Sequence, residues 1–525
     1  MSFTVALVVA GVSGFIALSY EILWYRVIAF ASWGLPGAFG LLLAAYLLGI
    51  AIGSRVAGAF CKDDATAGDK NQLRAIAAFA LVANVVAWSV VPFFGWSSKK
   101  YDWPPALALV ALSAALLGAI LPLVSHFGIA ADDRAGQRLS YVYLANIVGS
   151  AAGSLITGFV FLDVWPLHTI GLVISLVGLG LVALIAALAG FERARLVRWL
   201  SSVAVAAGVL VALTPRAYDR IWEKLLYKSK FEETTKFYEV IETKSGVITV
   251  TQDGTVYGGG AYDGRFNTSI RWDRNGIMRA YGIGALHPAP KKILMIGLAS
   301  GSWAKVISHL PGLEHLTIVE INPGYTKLVA NHDEVKGILV DPKVDVVIDD
   351  GRRWLHRHSP DDGARFDVIV MNTTWHWRAH ITNLLSTEFM QLARAHLAPG
   401  GIFYFNTTSS EDVQRTAATA FPHAMRVYNF MAVSDAPLVF DKMRWAATLA
   451  SFTIDGEPAI DRTTEEGRKF FDELVAYADG IHEEPTSEGL ESRERILART
   501  HAARVVTDDN MVPEWREVLR FQEPP

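Results

Sequence analysis

The sequence predicts two unlike halves: a multi-pass α-helical membrane bundle of about seven helices, fused to a doubly wound α/β domain with a small β-rich subdomain on its N-terminal side. Three observations predict this. Residues 1–213 are almost continuously apolar. The stretch 237–270 alternates branched residues with Asp-Gly turns, the pattern of hairpins. From 291 to 408, short apolar runs alternate with helical ones, the pattern of a parallel sheet covered by helices.

The 525 residues exceed one ordinary domain. Four regions are expected: a transmembrane region 1–214, a linker and hairpin region 215–285, an α/β domain 286–450, and a helical, charged extension 451–525. About 20 apolar residues cross the hydrocarbon core as a helix. Seven segments qualify, near 4–31, 36–60, 73–95, 104–129, 140–163, 166–190 and 198–214, the last being the shortest. Gly49/Gly53 and Gly149/Gly153 repeat at four-residue spacing, which lets helix backbones approach closely in lipid. Glu21, Arg26 and His126 fall inside spans, where ionisable groups are costly; Glu21 is expected to pair with Arg26 or with a polar group on another helix.

Short-loop Lys and Arg number nine on the side of the N-terminus (Arg55, Lys62, Lys70, Arg74, Arg134, Arg138, Arg193, Arg195 and Arg198) and three on the other (Arg26, Lys99 and Lys100). That bias puts the N-terminus in the cytoplasm, and seven spans then put the α/β half outside it. Residues 1–213 hold 12 Lys+Arg and 9 Asp+Glu of the chain's 48 and 52, leaving 36 against 43. A mildly acidic second half argues against a nucleic-acid surface. The one cysteine, Cys61, excludes an intramolecular disulfide framework and a zinc-cysteine site, and no metal is expected.

In a doubly wound sheet, ligands bind at the carboxyl ends of the strands. KKILMIGLASGSWAKVISHL (291–310) reads as strand, glycine loop and helix, with Gly297, Ser300 and Gly301 in the loop. Glu320 ends the next strand, 19 residues after Gly301, where a carboxylate accepts ribose hydroxyls. Asp350 ends the third strand, where a carboxylate holds an adenine amino group. Any one of these fits an ordinary helix cap, but their order fits a nucleoside site. The loop lacks the Lys-Ser/Thr of a nucleotide-hydrolysing phosphate loop. After the fourth strand, NTTWHWRAHITN (372–383) gathers Asn372, Thr373, Trp375, His376, Trp377, Arg378 and His380.

The hairpins followed by ILMIGLASGS, IVEIN, VIDDGRRWL and FDVIVMN resemble the spermidine synthase (polyamine aminopropyltransferase) family over about 235–440, and the whole plan resembles its membrane-fused members. The resemblance implies a methyltransferase-type Rossmann domain that binds S-adenosyl donors through Gly297 and Gly301, Glu320, and the pair Asp350-Gly351. The family's Asp-Gly-x-x-Gln corresponds to Asp263-Gly264-Arg265-Phe266-Asn267, with Asn267 in place of Gln. Three features depart from the family. The glycine loop lacks its Asp, Asn372-Thr373-Thr374 replaces the catalytic Asp stretch, and Ile277-Met278-Arg279-Ala280-Tyr281 replaces Tyr-His-Glu. A diamine dication needs such carboxylates.

Asn-Thr-Thr-Trp instead resembles the Asn-Pro-Pro-aromatic motif of amino-group methyltransferases, and 372–386 on this membrane plan is similar to the integral membrane N-terminal histidine methyltransferases. Methyl transfer needs mainly in-line positioning of a lone pair. The sequence therefore favours a membrane-integral methyltransferase with S-adenosylmethionine as cofactor. It would act on a nitrogen of a peptide or small amine, the N-terminal histidine of an exported protein being one candidate. Asn372, Trp375 and His376 would be catalytic, and Thr373, Trp377, Arg378 and His380 would contact substrate. The alternatives are an aminopropyltransferase making polyamines and a transporter with a nucleoside-sensing domain.

Overall fold

The computed structural model describes residues 2–61, 70–188, 192–372, 375–480 and 489–516. It forms two compact units, Met1–Lys236 with Glu242–Gly246, and Phe237–Ile241 with Val247–Arg520. The division falls after 236, not at 214, because the helix Ile221–Tyr227 and the segment 242–246 cluster with the helical unit.

Among the described residues seven helices are long and apolar enough to cross a membrane: Phe3–Ala31, Gly37–Gly58, Ile76–Tyr101, Ala106–Gly128, Ala135–Val164, Leu167–Leu188 and Arg193–Ala217. The small-residue faces are where the backbones meet. A Cβ on Gly149 would sit 1.9 Å from the carbonyl oxygen of Gly11, and one on Gly53 would sit 1.9 Å from that of Ala115. The fourth helix breaks between Gly118 and Ile120. Pro122 explains this, since it has no N–H for the carbonyl four residues back. Arg26 does not pair with Glu21. It donates to the backbone carbonyls of Thr243, Gly246 (2.9 Å) and Lys244 (3.4 Å), all within this unit. Glu242 accepts from Leu167 N at 3.0 Å and Trp222 Nε1 at 3.1 Å, and burial pushes its carboxyl above the usual range.

Residues 239–265 form a four-stranded meander, β1 (Glu239–Thr243), β2 (Gly246–Val250), β3 (Thr255–Gly258) and β4 (Ala261–Arg265). The main sheet contains β5 (Lys292–Ile296), β6 (His315–Glu320), β7 (Val344–Ile348), β8 (Phe366–Met371), β9 (Leu397–Asn406), β10 (His423–Val427) and β11 (Phe430–Ser434). A short hairpin of β12 (Thr453–Ile454) and β13 (Glu457–Pro458) precedes the last strand, β14 (Leu490–Ser492). The order is β14-β10-β11-β9-β8-β5-β6-β7.

The strands expected from sequence between 291 and 408 are present and parallel, as β5 to β9, but the sheet is mixed. β11, β10 and β14 add an antiparallel edge. Along β5, Ile293 and Met295 enter the core on one face and Leu294 and Ile296 that on the other, as a strand buried on both faces requires. The strand order reverses between β5 and β8, which sets the crevice for a ligand.

The extension after 450 is not only helical, because β14 completes the sheet. Glu491 on β14 accepts from Arg426 Nε at 2.7 Å and from Arg499 Nε at 3.0 Å. Burial opposes its ionisation, but Arg499 and Arg426 outweigh that and hold the carboxyl below its usual range.

Candidate functional site

The loop after β5 turns through three residues of positive φ, Gly297 (93°), Ala299 (48°) and Gly301 (78°). Glu320, at the end of β6, shapes this loop. Its Oε2 accepts from Leu298 N and its Oε1 from Asn322 N, each at 2.7 Å. Burial raises its pKa to about 7 despite those bonds, and the nearby charge of Asp263 pushes the same way. Glu320 therefore stands beside the glycine loop, where a ribose would need it.

Asp350 caps the helix Gly351–Arg357, Oδ1 accepting from Arg353 N at 2.8 Å. Gly351 packs so closely that a Cβ there would lie 2.6 Å from Ile296 Cγ2. Ser300 Oγ donates to Arg265 O at 3.0 Å and so ties the loop to β4. Asn267 is spent on a local turn, its Nδ2 donating to Trp272 O at 2.7 Å and its Oδ1 accepting from Ser269 N at 2.9 Å.

A cavity of about 340 Å³ is lined in part by Tyr262, Asp263 and Gly264 of β4, the strand to which Ser300 is tied. Its wall includes Asp263, Arg279, Asn372, Trp375, Asn406 and Asn429, whereas Gly297, Glu320 and Asp350 lie outside the wall. Four side chains form a relay. Arg279 Nη1 donates to Asn429 Oδ1, Asn429 Nδ2 to Asn406 Oδ1 (3.1 Å), and Asn406 Nδ2 to Asn372 Oδ1 (3.0 Å). Its direction does not depend on how amide atoms are assigned. Arg279 donates only, and Asn406 Oδ1 also takes the backbone N–H of Thr408 at 2.8 Å. Asn372 thus presents a polarised carbonyl oxygen, with one lone pair used, and a donor NH₂.

Two other features mark the cavity as more than a packing gap. Thr408 (φ 44°) and Ser409 (φ 64°) line it in consecutive left-handed conformations that non-glycine residues rarely hold. Asp263 is the sole carboxylate in its wall among the described residues. The Tyr325 hydroxyl donates to Asp263 Oδ2, and burial raises this carboxyl to about 6 against that bond and the charge of Arg378. Asp263 and Glu320 thus both have carboxyls raised chiefly by burial, a pattern that active sites share with structural ion-pair networks.

The cluster after β8 divides. Trp375 joins the cavity, stacked on the buried Trp377 with ring centres 5.9 Å apart. His376 Nδ1 lies 2.7 Å from Thr408 Oγ1, which also accepts from His376 N at 3.0 Å. His380 is exposed, and its N–H donates to Glu514 at 3.0 Å, an anchoring contact. Thr373 lies outside the described residues. Asn406 and Asn429 are missing from the sequence expectation and Arg279 stood in the quoted stretch 277–281 without a role, because the three come from separate elements and share no local motif. Asp263 stood in the quoted Asp-Gly pair without being assigned a role. Among the described residues no group of three His, Cys, Asp or Glu side chains is placed to hold a metal.

Residues 282–434 match the family model described as "Spermine/spermidine synthase domain". Similar curated proteins include the polyamine aminopropyltransferase of Mycobacterium tuberculosis (strain ATCC 25618 / H37Rv), 26% identical over 305 residues, 56% of this chain and 56% of that protein. Polyamine aminopropyltransferase 2 of Streptomyces coelicolor is 28% identical over 352 residues, 62% of this chain and 60% of that protein. The chain thus spans little more than half the length of these relatives. Spermidine synthase from Thermotoga maritima is a solved structure with 16% identity and a TM-score of 0.35, covering 47% of this chain and 86% of that one.

These findings correct one expectation. The relatives are named for aminopropyl transfer, a reaction that consumes a decarboxylated S-adenosyl donor as substrate and does not use S-adenosylmethionine as a methylating cofactor. The resemblance to histidine methyltransferases gains no support from these matches, and over residues 282–434 the second unit carries a spermidine synthase-like domain.

Proposed function

We propose that the α/β unit transfers an aminopropyl group from decarboxylated S-adenosylmethionine to an amine. The family match over 282–434 carries this reading, because that segment contains the glycine loop, Glu320, Asp350 and Asn372. Gly297 and Gly301 would let the donor approach the backbone, and Glu320 would hold the ribose. Asp263 takes the part of the missing loop acid by facing the positive aminopropyl arm.

The acceptor nitrogen attacks the propyl carbon bound to sulfur. The new C–N bond forms as the C–S bond breaks, its electron pair stays on sulfur, and neutral methylthioadenosine leaves. The Asn372 carbonyl orients an N–H of the acceptor, and the released proton passes by way of Thr408 to His376. Most of the rate comes from alignment, since the reaction needs little beyond a placed lone pair.

Calorimetry on the full chain in detergent tests the donor. Decarboxylated S-adenosylmethionine should bind at least about tenfold more tightly than S-adenosylmethionine, whose extra carboxylate would meet Asp263. Equal or reversed affinities would contradict the reading. The seven helices are proposed to lie in a bilayer with the N-terminus cytoplasmic and the α/β unit outside, on the nine-to-three charge bias. Of the nine, Lys62 lies outside the described residues. A C-terminal reporter that works only outside the cytoplasm should be active, and a silent one would contradict this orientation.

A further inference from the structure

Asp263 is the sole carboxylate in the cavity wall among the described residues, and the proposed donor already brings it a cation. A diamine acceptor would bring another ammonium group and would need a second carboxylate. The wall instead offers Arg279 and the amides of Asn275, Asn372, Asn406 and Asn429.

The guanidinium of Arg279 is held entirely by neutral partners among the described residues. Nε donates to Gly276 O at 2.8 Å, Nη2 to Asn275 O at 3.2 Å, and Nη1 to Asn429 Oδ1. It lies over the rings of Phe430 (4.7 Å) and Trp303 (5.5 Å). Asp273 is the carboxylate whose charge it feels. That carboxylate is engaged with the backbone N–H groups of Asn275 and Ile277 (2.9 Å each) and Met278 (3.0 Å). Three of the five guanidinium N–H groups are used, which leaves two for a ligand. A cation withdrawn from water without an ion pair is unfavourable, and burial lowers the Arg279 pKa below its ordinary value. An arriving anion would relieve both.

We propose that Arg279 binds an anionic group on the acceptor, so that the acceptor is a small amino carboxylate and not a diamine. The inference rests on the aminopropyl-transfer reading and names its acceptor class. The guanidinium would then do two things in one geometry. It would hold the acidic end of the acceptor, and through Asn429 and Asn406 it would set the amide of Asn372 against the nucleophilic end. The products are an N-aminopropyl amino carboxylate, methylthioadenosine and one proton.

The test compares 4-aminobutanoate with 1,4-diaminobutane, which have the same four carbons and differ in one aminomethyl end replaced by a carboxylate. The full-length protein is supplied with decarboxylated S-adenosylmethionine, and methylthioadenosine is measured. The amino carboxylate should have the higher kcat/KM by at least tenfold. Arg279→Met should raise its KM at least tenfold and erase its preference over the diamine, with kcat lowered for both acceptors through the lost relay to Asn372, while Arg279→Lys should keep part of the preference. Donor binding reports whether each variant is folded, and the wild-type preference decides the matter even if neither variant folds. Methylthioadenosine from the diamine alone overturns the inference and leaves the aminopropyl reading standing. S-adenosylhomocysteine formed in a parallel reaction supplied with S-adenosylmethionine, with no methylthioadenosine from either acceptor, sinks both.

Discussion

Glu320 offers a prediction whose size follows from the structure. Its carboxylate is buried, accepts two backbone N–H groups at 2.7 Å, and has its pKa raised to about 7. Only the ionised form has lone pairs enough to keep both loop contacts and also accept ribose hydroxyls. Donor binding must therefore favour ionisation, and affinity should rise with pH. One pH unit below the pKa about a tenth of the population is ionised, so affinity at pH 6 should be about tenfold below its plateau near pH 8. Binding at pH 6 should release a proton, seen as a dependence of the calorimetric enthalpy on buffer ionisation. Glu320→Gln should bind weakly and keep only the smaller pH dependence that Asp263, raised to about 6, contributes. Glu320→Ala loses hydrogen bonds worth about 1.5–3 kcal/mol each, offset in part by water, so donor affinity should fall at least about tenfold. Asp263→Asn removes a charge that raises the Glu320 pKa, and the midpoint should move toward acid. The sign for stability is opposite to that for binding. A carboxyl whose folded pKa lies above its unfolded value binds more protons when folded, so the unliganded protein should lose stability as pH rises from about 4.5 to 7. Flat donor affinity between pH 6 and 8 in the wild type would refute the reasoning.

Three further predictions concern other parts of the chain. Glu491→Ala should leave the buried Arg426 without its carboxylate and destabilise the α/β unit by about 3–5 kcal/mol, read by chemical denaturation; a loss under 1 kcal/mol would mean the ion pairs hold little together. Gly149→Leu should force apart the helices Phe3–Ala31 and Ala135–Ile156, where the backbone approach leaves no room for a Cβ, and lower thermal stability in detergent; an unchanged midpoint would contradict that packing. Asn372→Asp should shift acceptor preference toward diamines by adding the missing negative charge, read as the ratio of kcat/KM for 1,4-diaminobutane to that for 4-aminobutanoate; an unchanged ratio would place Asn372 away from the acceptor.

The sequence was most informative where function depends on local order. The five parallel strands are short apolar runs bounded by turns. The glycine loop, Glu320 and Asp350 follow at spacings that a doubly wound sheet dictates, and the structure puts each at a strand end. The glycine pairs marked the close helix contacts for the same reason: four-residue spacing lines up one helix face. What escaped depends on assembly. β14 is three residues long and has a helix beside it, so neither length nor periodicity marked it as a sheet strand. Arg26 could not be matched to its acceptors because they are backbone carbonyls more than 200 residues away. Arg279, Asn406 and Asn429 meet only because three separate elements converge, and isolated asparagines carry no spacing signal. The expectation of a methyl-donating cofactor erred differently. It read missing carboxylates as evidence for methyl transfer, while Asp263, already present in the hairpin, could face the donor's positive arm.

The central claim is the identity of the group transferred, and product analysis tests it most directly. The purified full-length chain, given decarboxylated S-adenosylmethionine and a primary amine acceptor, should release methylthioadenosine in equal amount to an acceptor heavier by one aminopropyl group, as measured by mass spectrometry. S-adenosylhomocysteine and a methylated acceptor formed from S-adenosylmethionine, with no methylthioadenosine from the decarboxylated donor, would contradict it.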